Sequence, residues 1–306
     1  MTAALIIAAG TTPGANGFDP LKPVGGMPPV QRLVLVFQQA GIARVVLVAG
    51  PNNEALKKQA AKLGVVCLEN PRLDSEMLDS VKIGLDYLQD KCDKVQITPV
   101  DIPLFSVETA KRLDASDEAV VLPIHNQATG HPIQIKAKLF GKILAYGGAG
   151  GLAGAVEASG VSRCFLEVPD AGILVDVEKE SDYDALVDQH SLNALLPVVR
   201  VFVTRGGDGY GPGQQQLLRL LDDTQSLRLA CQQMGVSYSK GWKMINNIEK
   251  LFGQDLVVRQ QGGRHGGGSE TTAKGKELIA RYDAFVNDVR EQTETIFDKY
   301  FKDGDL

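Results

Sequence analysis

The chain has 306 residues, 44% of them hydrophobic and 23% charged, with a net charge of −5 and four cysteines. That length predicts two domains, and no apolar run reaches the ~18 residues that a membrane span needs. The acidic balance excludes nucleic-acid binding by the whole surface but leaves room for a local basic patch. The first residues, MTAALIIAAG, lack the basic stretch of a secretory signal and read as a buried strand. Cys67, Cys92, Cys164 and Cys231 are scattered without paired metal spacing, and the four histidines are equally dispersed. Reduced thiols in a cytoplasmic protein, and no zinc site, are the expectation.

Ala4–Ala8 is a short apolar run that leads to Gly10, the pattern of a strand buried on both faces. A turn-rich segment fills 10–26. Pro29–Ala40 then shows helical spacing through Val30, Leu33, Val34 and Phe37. Arg44–Ala49 reads as a second strand, Glu54–Leu63 as an amphipathic helix, Val65–Leu68 as a third strand and Ser75–Leu88 as a helix. Lys94–Pro99 is a further strand that runs out to Asp101. Strands alternating with helices predict a parallel sheet with crossover helices. Ligands in such sheets bind beyond the carboxyl ends of the strands, and two features fall there. Gly10 lets backbone N–H groups approach an anion, with Lys22 adding positive charge for a phosphate. Asp101 stands where a carboxylate holds Mg²⁺ beside bound phosphates. A glycine-rich loop also serves as a plain turn, and an Asp before Pro as a cap, so this pattern alone leaves both readings open.

Asp188–Pro197 reads as the bridge between a domain over residues 1–195 and another over 196–306. Val198–Arg205 has the look of a strand, GGDGYGPG of a flexible turn, and Gln214–Leu221 of a helix carrying Leu217, Leu218 and Leu221. Ser226 is placed to cap Leu227–Met234, Gly235 stops that helix, and Ser237 caps Tyr238–Phe252. The apolar face of this last helix holds Trp242, Ile245, Ile248 and Leu251, with Trp242 expected in the core. Ser239, Lys240, Lys243, Asn246 and Asn247 decorate its other side. A second helix that exposes Lys and Asn near its N-terminus suits the DNA major groove. Val257–Arg259, a GGRHGGG loop and Thr271–Thr272 read as a wing, with Arg264 and His265 placed for phosphate or the minor groove. From Thr224 to Arg281, nine basic residues stand against four acidic ones, a local excess of five positive charges inside an acidic chain.

The AAG at 8–10, Lys22 followed by PVGG, and PVDIP around Asp101 resemble the nucleotidyltransferases that act on the molybdenum cofactor and, more broadly, sugar-nucleotide pyrophosphorylases. Glu76–Leu85, Gly130-His131-Pro132 and Ile173–Leu186 extend the resemblance over roughly residues 1–190. It implies an α/β fold: a Rossmann-like, GT-A-like three-layer domain, closed by a strand and a helix start from Ile173. By that resemblance the base and ribose lie against Ala8, Ala9 and Gly10. Lys22 contacts phosphate, Ser80 lies near the base, and Asp101 with Asp176 holds Mg²⁺. The implied reaction is attack of a molybdopterin phosphate on the α-phosphate of CTP or GTP with release of pyrophosphate, catalysed by positioning and charge neutralisation. Residues 11–22 carry no Arg where the family clamps the triphosphate, and Asp19, Glu76, Leu78, Glu178 and Lys179 replace family residues. Two readings therefore stand, an active transferase and a degenerate domain that senses a nucleotide or pterin; a sugar-phosphate nucleotidyltransferase is a third.

GYGPGQQQLL, SYSKGWKMINNIE and VVRQQGGRHGGGSETTAKG resemble the N-terminal DNA-binding domain of the molybdate-responsive ModE regulators, over roughly residues 198–285. That domain is a winged helix-turn-helix, so the resemblance implies DNA as a partner. In those regulators a long helix after the wing makes a dimer. Ala273–Phe301 is a helix of that kind, with Leu278, Ile279, Tyr282, Phe285, Val289 and Ile296 along one side. An amphipathic helix of this length needs a partner, so a homodimer on an approximately palindromic operator is expected.

Overall fold

The structure of the chain, a computed structural model, describes residues 1–9, 18–72, 75–177, 197–259 and 269–301. Gly10, Glu178, Lys179, the bridging stretch 188–196, Arg264 and His265 lie outside the described residues. The chain divides into two compact units, one built from Met1–Asn53 and Leu68–Ala194, the other from Glu54–Cys67 and Leu195–Leu306.

The first unit is organised by β1 (Thr2–Ala8), whose residues from Ala3 onward are buried. Without polar side chains to satisfy, such a strand belongs at the centre of a covered sheet. It pairs in parallel with β2 (Arg44–Ala49) on one side and β4 (Lys94–Pro99) on the other. The full order is β3-β2-β1-β4-β7-β5-β6, with β8 joined to β5; here β3 is Val66–Glu69, β5 Val120–His125, β6 Ala128–Thr129, β7 Ile133–Lys136 and β8 Cys164–Glu167. β7 runs antiparallel to both β4 and β5. Its helices are α1 (Pro29–Gln39), α3 (Met77–Leu88), α4 (Val107–Asp114), α5 (Phe140–Ala145) and α6 (Gly151–Ala158), while α2 (Glu54–Leu63), between β2 and β3 in the chain, belongs to the second unit. α3 lies close on β1: a Cβ at Gly84 would stand 2.3 Å from Leu5 Cδ1, so only glycine permits that approach.

The strand implied from Ile173 is instead a 3-10 turn over Ala171–Leu174. Asp170 caps it by accepting from the Gly172 N–H at 3.0 Å, and Gly172 is pressed so near the Leu104 carbonyl that a Cβ would fall 2.1 Å from it.

The second unit opens with a hairpin, β9 (Val203–Arg205) and β10 (Asp208–Tyr210). The strand expected over Val198–Arg205 is confined to Val203–Arg205, and its partner Asp208–Tyr210 lies in the stretch expected as a flexible turn. Gly206 and Gly207 both take positive φ, as a two-residue hairpin turn demands, and Tyr210 beyond them is fully buried. Then come α7 (Pro212–Thr224), α8 (Leu227–Gln233), α9 (Tyr238–Phe252), β11 (Val257–Arg259), β12 (Ser269–Thr271) and α10 (Ala273–Phe301). Leu217, Leu218, Leu220, Leu221, Ile245 and Ile248 form the core with Tyr210. The rings of Phe252 and Tyr282 meet that of Tyr210 edge-on at 5.6 and 4.9 Å, a favoured aromatic geometry. Trp242, expected in the core, is only half-buried; it packs edge-on against exposed Tyr238 at 6.1 Å.

Candidate functional site

In the first unit the chain order reverses at β1: β2 and β3 follow on one side, β4 on the other. Such a switch point opens a crevice beyond the carboxyl ends of the two central strands. Ile7 is level with Pro99, and the Val100 N–H donates to the Ile7 carbonyl at 2.9 Å. Ala8 thus ends β1, paired with Ala49, and Ala9 follows it out of the sheet on the side of Val100 and Asp101. With methyl groups for side chains, Ala8 and Ala9 have little beyond their backbone to offer a ligand.

Asp101 meets a distant part of the chain. The Val177 N–H donates to the Asp101 carbonyl at 2.8 Å, which brings Asp176 beside it. Both aspartates are half-buried. The approach is fixed further back, where the His131 N–H donates to the Ile173 carbonyl at 3.0 Å. The Val177-to-Asp101 bond joins backbone groups and brings the two aspartates together in the fold; one or two carboxylates from protein suit Mg²⁺, which takes the rest of its oxygens from phosphate and water. Among the described residues no group of three or more His, Cys, Asp or Glu side chains is placed to hold a metal, so an ion here would depend on substrate oxygens. His131 is half-buried, and desolvation holds its imidazole below the usual range, against the opposing pull of the Ile97 carbonyl at 3.5 Å.

Lys22 is exposed on a turn made by Asp19. Asp19 Oδ1 accepts from the Leu21 N–H at 2.8 Å and its carbonyl from the Lys22 N–H at 3.0 Å, an Asx-type turn. The acidic residue that looked out of place near a polyanion is thus bonded to its own backbone and shapes the presentation of Lys22. The Val30 N–H donates to the Pro20 carbonyl at 3.3 Å, fastening the turn to the start of α1.

Ser80 is fully buried on α3 and accepts from Asn70 Nδ2 at 2.8 Å. Asn70 also donates to Ser75 Oγ at 2.8 Å, accepts from the Arg72 N–H at 3.1 Å and bonds the Ala49 carbonyl through its own N–H at 2.8 Å. Ser80 therefore acts on the loop after β3 through Asn70. Sequence reasoning missed Asn70; the available signal was a polar residue directly after an apolar strand. It also missed Asp170, which ties α4 down by accepting from the Ser106 N–H at 2.7 Å and from Thr109 Oγ1 at 2.5 Å.

In the second unit, α9 presents Ser239, Lys240, Lys243 and Asn246 exposed and Asn247 partly so. Their spacing puts them on one face, opposite Ile245, Ile248 and Leu251. Ser226 caps α8 by accepting from the Leu229 N–H at 3.4 Å, and Ser237 caps α9 through the Lys240 N–H at 3.2 Å. Both caps leave the positive dipole end of a helix at the surface. The Arg228 guanidinium lies over the Tyr238 ring, 5.8 Å from its centroid, which adds a cation that the sequence reading did not place. Glu249 Oε1 accepts from the Leu256 and Val257 N–H groups at 2.9 and 3.1 Å, tying β11 to the end of α9.

The model of the MobA-like NTP transferase domain matches residues 4–163, more than half of the chain. The chain belongs to the MobA-like NTP transferase family. Molybdenum cofactor cytidylyltransferase from Escherichia coli (strain K12) is 22% identical to it over 143 residues, 46% of this chain and 72% of that protein. The structure of Rv0371c from Mycobacterium tuberculosis H37Rv in complex with manganese superposes with a TM-score of 0.50 at 20% identity, covering 61% of this chain and 98% of that one. That likeness shows a shared nucleotidyltransferase fold for the MobA-like domain. The C-terminal region matches other proteins: the DNA-binding transcriptional dual regulator ModE from Escherichia coli (strain K12) is 35% identical over 72 residues, 24% of this chain and 28% of that regulator. The chain spans about a third or less of the length of these regulator relatives. A MobA-like domain and a ModE-like region therefore share one polypeptide.

Proposed function

We propose that the chain is a Mg²⁺-dependent nucleotidyltransferase of molybdenum-cofactor metabolism, joining CTP or GTP to a molybdopterin phosphate, and that its C-terminal region is a winged helix-turn-helix that binds DNA as a homodimer. The observation that carries the first part is the Val177-to-Asp101 hydrogen bond, which supports a carboxylate pair at the sheet's switch point. The backbone at Ala8 and Ala9 bounds the nucleotide, Lys22 draws in its phosphates, and Asp101 with Asp176 holds the metal. Mg²⁺, when bound, neutralises charge on the transferring phosphate. The protein otherwise aligns the two substrates and screens their repulsion, with no covalent work of its own. The manganese in the Mycobacterium tuberculosis structure and the cytidylyltransferase relative both favour this reading.

Isothermal titration of CTP and GTP into the full chain with Mg²⁺, followed by pyrophosphate release in the presence of molybdopterin, tests the proposal. Asp101→Asn is expected to lower Mg²⁺-dependent turnover by two orders of magnitude or more, on the scale of ~10²–10³ for one charge-stabilising group. Unchanged turnover removes the metal assignment. The absence of Arg from residues 11–22 favours the second reading, a nucleotide or pterin sensor. Micromolar binding without pyrophosphate release would select it.

DNA recognition rests on the exposed Ser239–Asn247 face of α9. Lys243→Ala is expected to weaken operator binding and to lower the slope of log affinity against log salt by about one. An unchanged slope means that Lys243 faces away from the phosphates.

A further inference from the structure

Among the described residues Arg32 is a buried cation without a counter-ion. It lies in the second turn of α1 and is only 8% exposed. Its Nε is buried and makes no hydrogen bond, and among the described residues no carboxylate pairs with it. Burial holds its pKa below the usual range, yet a guanidinium stays protonated at any physiological pH. A charge kept in this way is unfavourable until an anion meets it.

The place where that anion would sit follows from helix geometry. Side chains on a helix lean toward its N-terminus and cover the preceding turn. For Arg32 that preceding turn is Pro28 and Pro29, which the Val30 N–H fastens to Pro20, two residues before Lys22. The two prolines bring no N–H to this helix start, and the Val30 N–H is already used. Positive charge at this point comes from side chains, reinforced by the helix dipole. We propose that Arg32, together with Lys22, holds the polyphosphate of a nucleoside triphosphate and supplies the guanidinium that residues 11–22 lack. This inference rests on the nucleotide-binding reading above. The planar fork of an arginine matches two phosphate oxygens at once, which a lysine does not.

The test is thermal unfolding of the full chain with and without millimolar inorganic tripolyphosphate. The wild-type Tm is expected to rise with the anion, as binding to the folded state requires, and Arg32→Met, of similar volume but uncharged, is expected to lose that rise. An equal rise in Arg32→Met, or none in the wild type, overturns the proposal. Should Arg32→Met fail to fold, Arg32→Lys keeps the charge but not the fork; it is expected to bind tripolyphosphate about tenfold more weakly, the loss of one charged hydrogen bond, and equal affinity overturns the proposal. A tripolyphosphate-dependent rise in a protein that binds neither CTP nor GTP would keep this anion site and sink the transferase reading. Nucleotide binding unchanged in Arg32→Met would do the reverse.

Discussion

Asn70 holds the loop after β3 by bonding Ser80, Ser75 and the Arg72 backbone at once. Its side chain is enclosed, so water cannot take its place. Asn70→Ala leaves the buried Ser80 hydroxyl without its donor, and one such loss costs about 1–3 kcal/mol. Urea unfolding should show a fall in stability of that size, while a fall below ~0.5 kcal/mol, the range of an ordinary surface substitution, would mean that the loop re-forms its bonds elsewhere. Asp19 teaches the same lesson with opposite sign. Read along the chain it is a negative charge intruding on a phosphate site; in three dimensions its carboxylate is bonded to the Leu21 N–H and fixes the turn that carries Lys22. A residue's type shows what it can bond, but only the fold decides which partner is in reach.

At the scale of elements, what could be read ahead depended on how local the determinants are. Tyr238–Phe252, Val257–Arg259, Arg44–Ala49 and Lys94–Pro99 emerge with the bounds that their capping serines and apolar runs imply. The hairpin at Val203–Tyr210 did not, because Gly206 and Gly207 look like flexibility until two strands close around them. The 3-10 turn at Ala171–Leu174 is capped locally by Asp170 but pressed into place by a distant group, the Leu104 carbonyl. The candidate site divides the same way. Asp101 was legible as a strand-end carboxylate, whereas the bond that brings Asp176 beside it joins positions 101 and 177 and has no local signature. The packing of α8 on α9 yields a test at this scale. A Cβ at Gly241 would stand 2.2 Å from Cys231 Sγ, so Gly241→Ala forces the helices apart. Overpacking of this kind costs roughly 1–3 kcal/mol. Cys231→Ala should restore part of that loss in the double variant, a positive coupling measurable by a double-mutant cycle. Strictly additive losses would show that the helices do not meet at this pair.

At the scale of the whole molecule, α10 is more helix than the second unit can cover. Its first turns are anchored: the Tyr282 hydroxyl donates to the Val201 carbonyl at 2.7 Å, Asp283 pairs with Arg219, and Gln215 Nε2 donates to the Ile279 carbonyl at 2.9 Å. Beyond them Phe285, Ile296, Tyr300 and Phe301 are 45–66% exposed. Beside the anchored part lies a cavity of about 340 Å³ of mixed lining, with Tyr210, Phe252, Tyr282 and Phe285 alongside Lys274, Glu277 and Arg281. Large apolar side chains left in water along one helix favour an interface. The occupant proposed is a second copy, whose α10 would lie against this one and set two α9 helices at a fixed spacing on an approximately palindromic site. Phe285→Glu combined with Ile296→Glu alters only exposed positions and should leave the fold intact, as circular dichroism can confirm. Sedimentation equilibrium should then find a monomer where the wild type is expected to be a dimer at micromolar concentration. Operator binding should weaken steeply as well, because each half-site would be held alone and the gain from joining two modules would be lost. A wild type that sediments as a monomer would end the dimer reading, and a double variant that remains dimeric would place the interface on another face of the second unit.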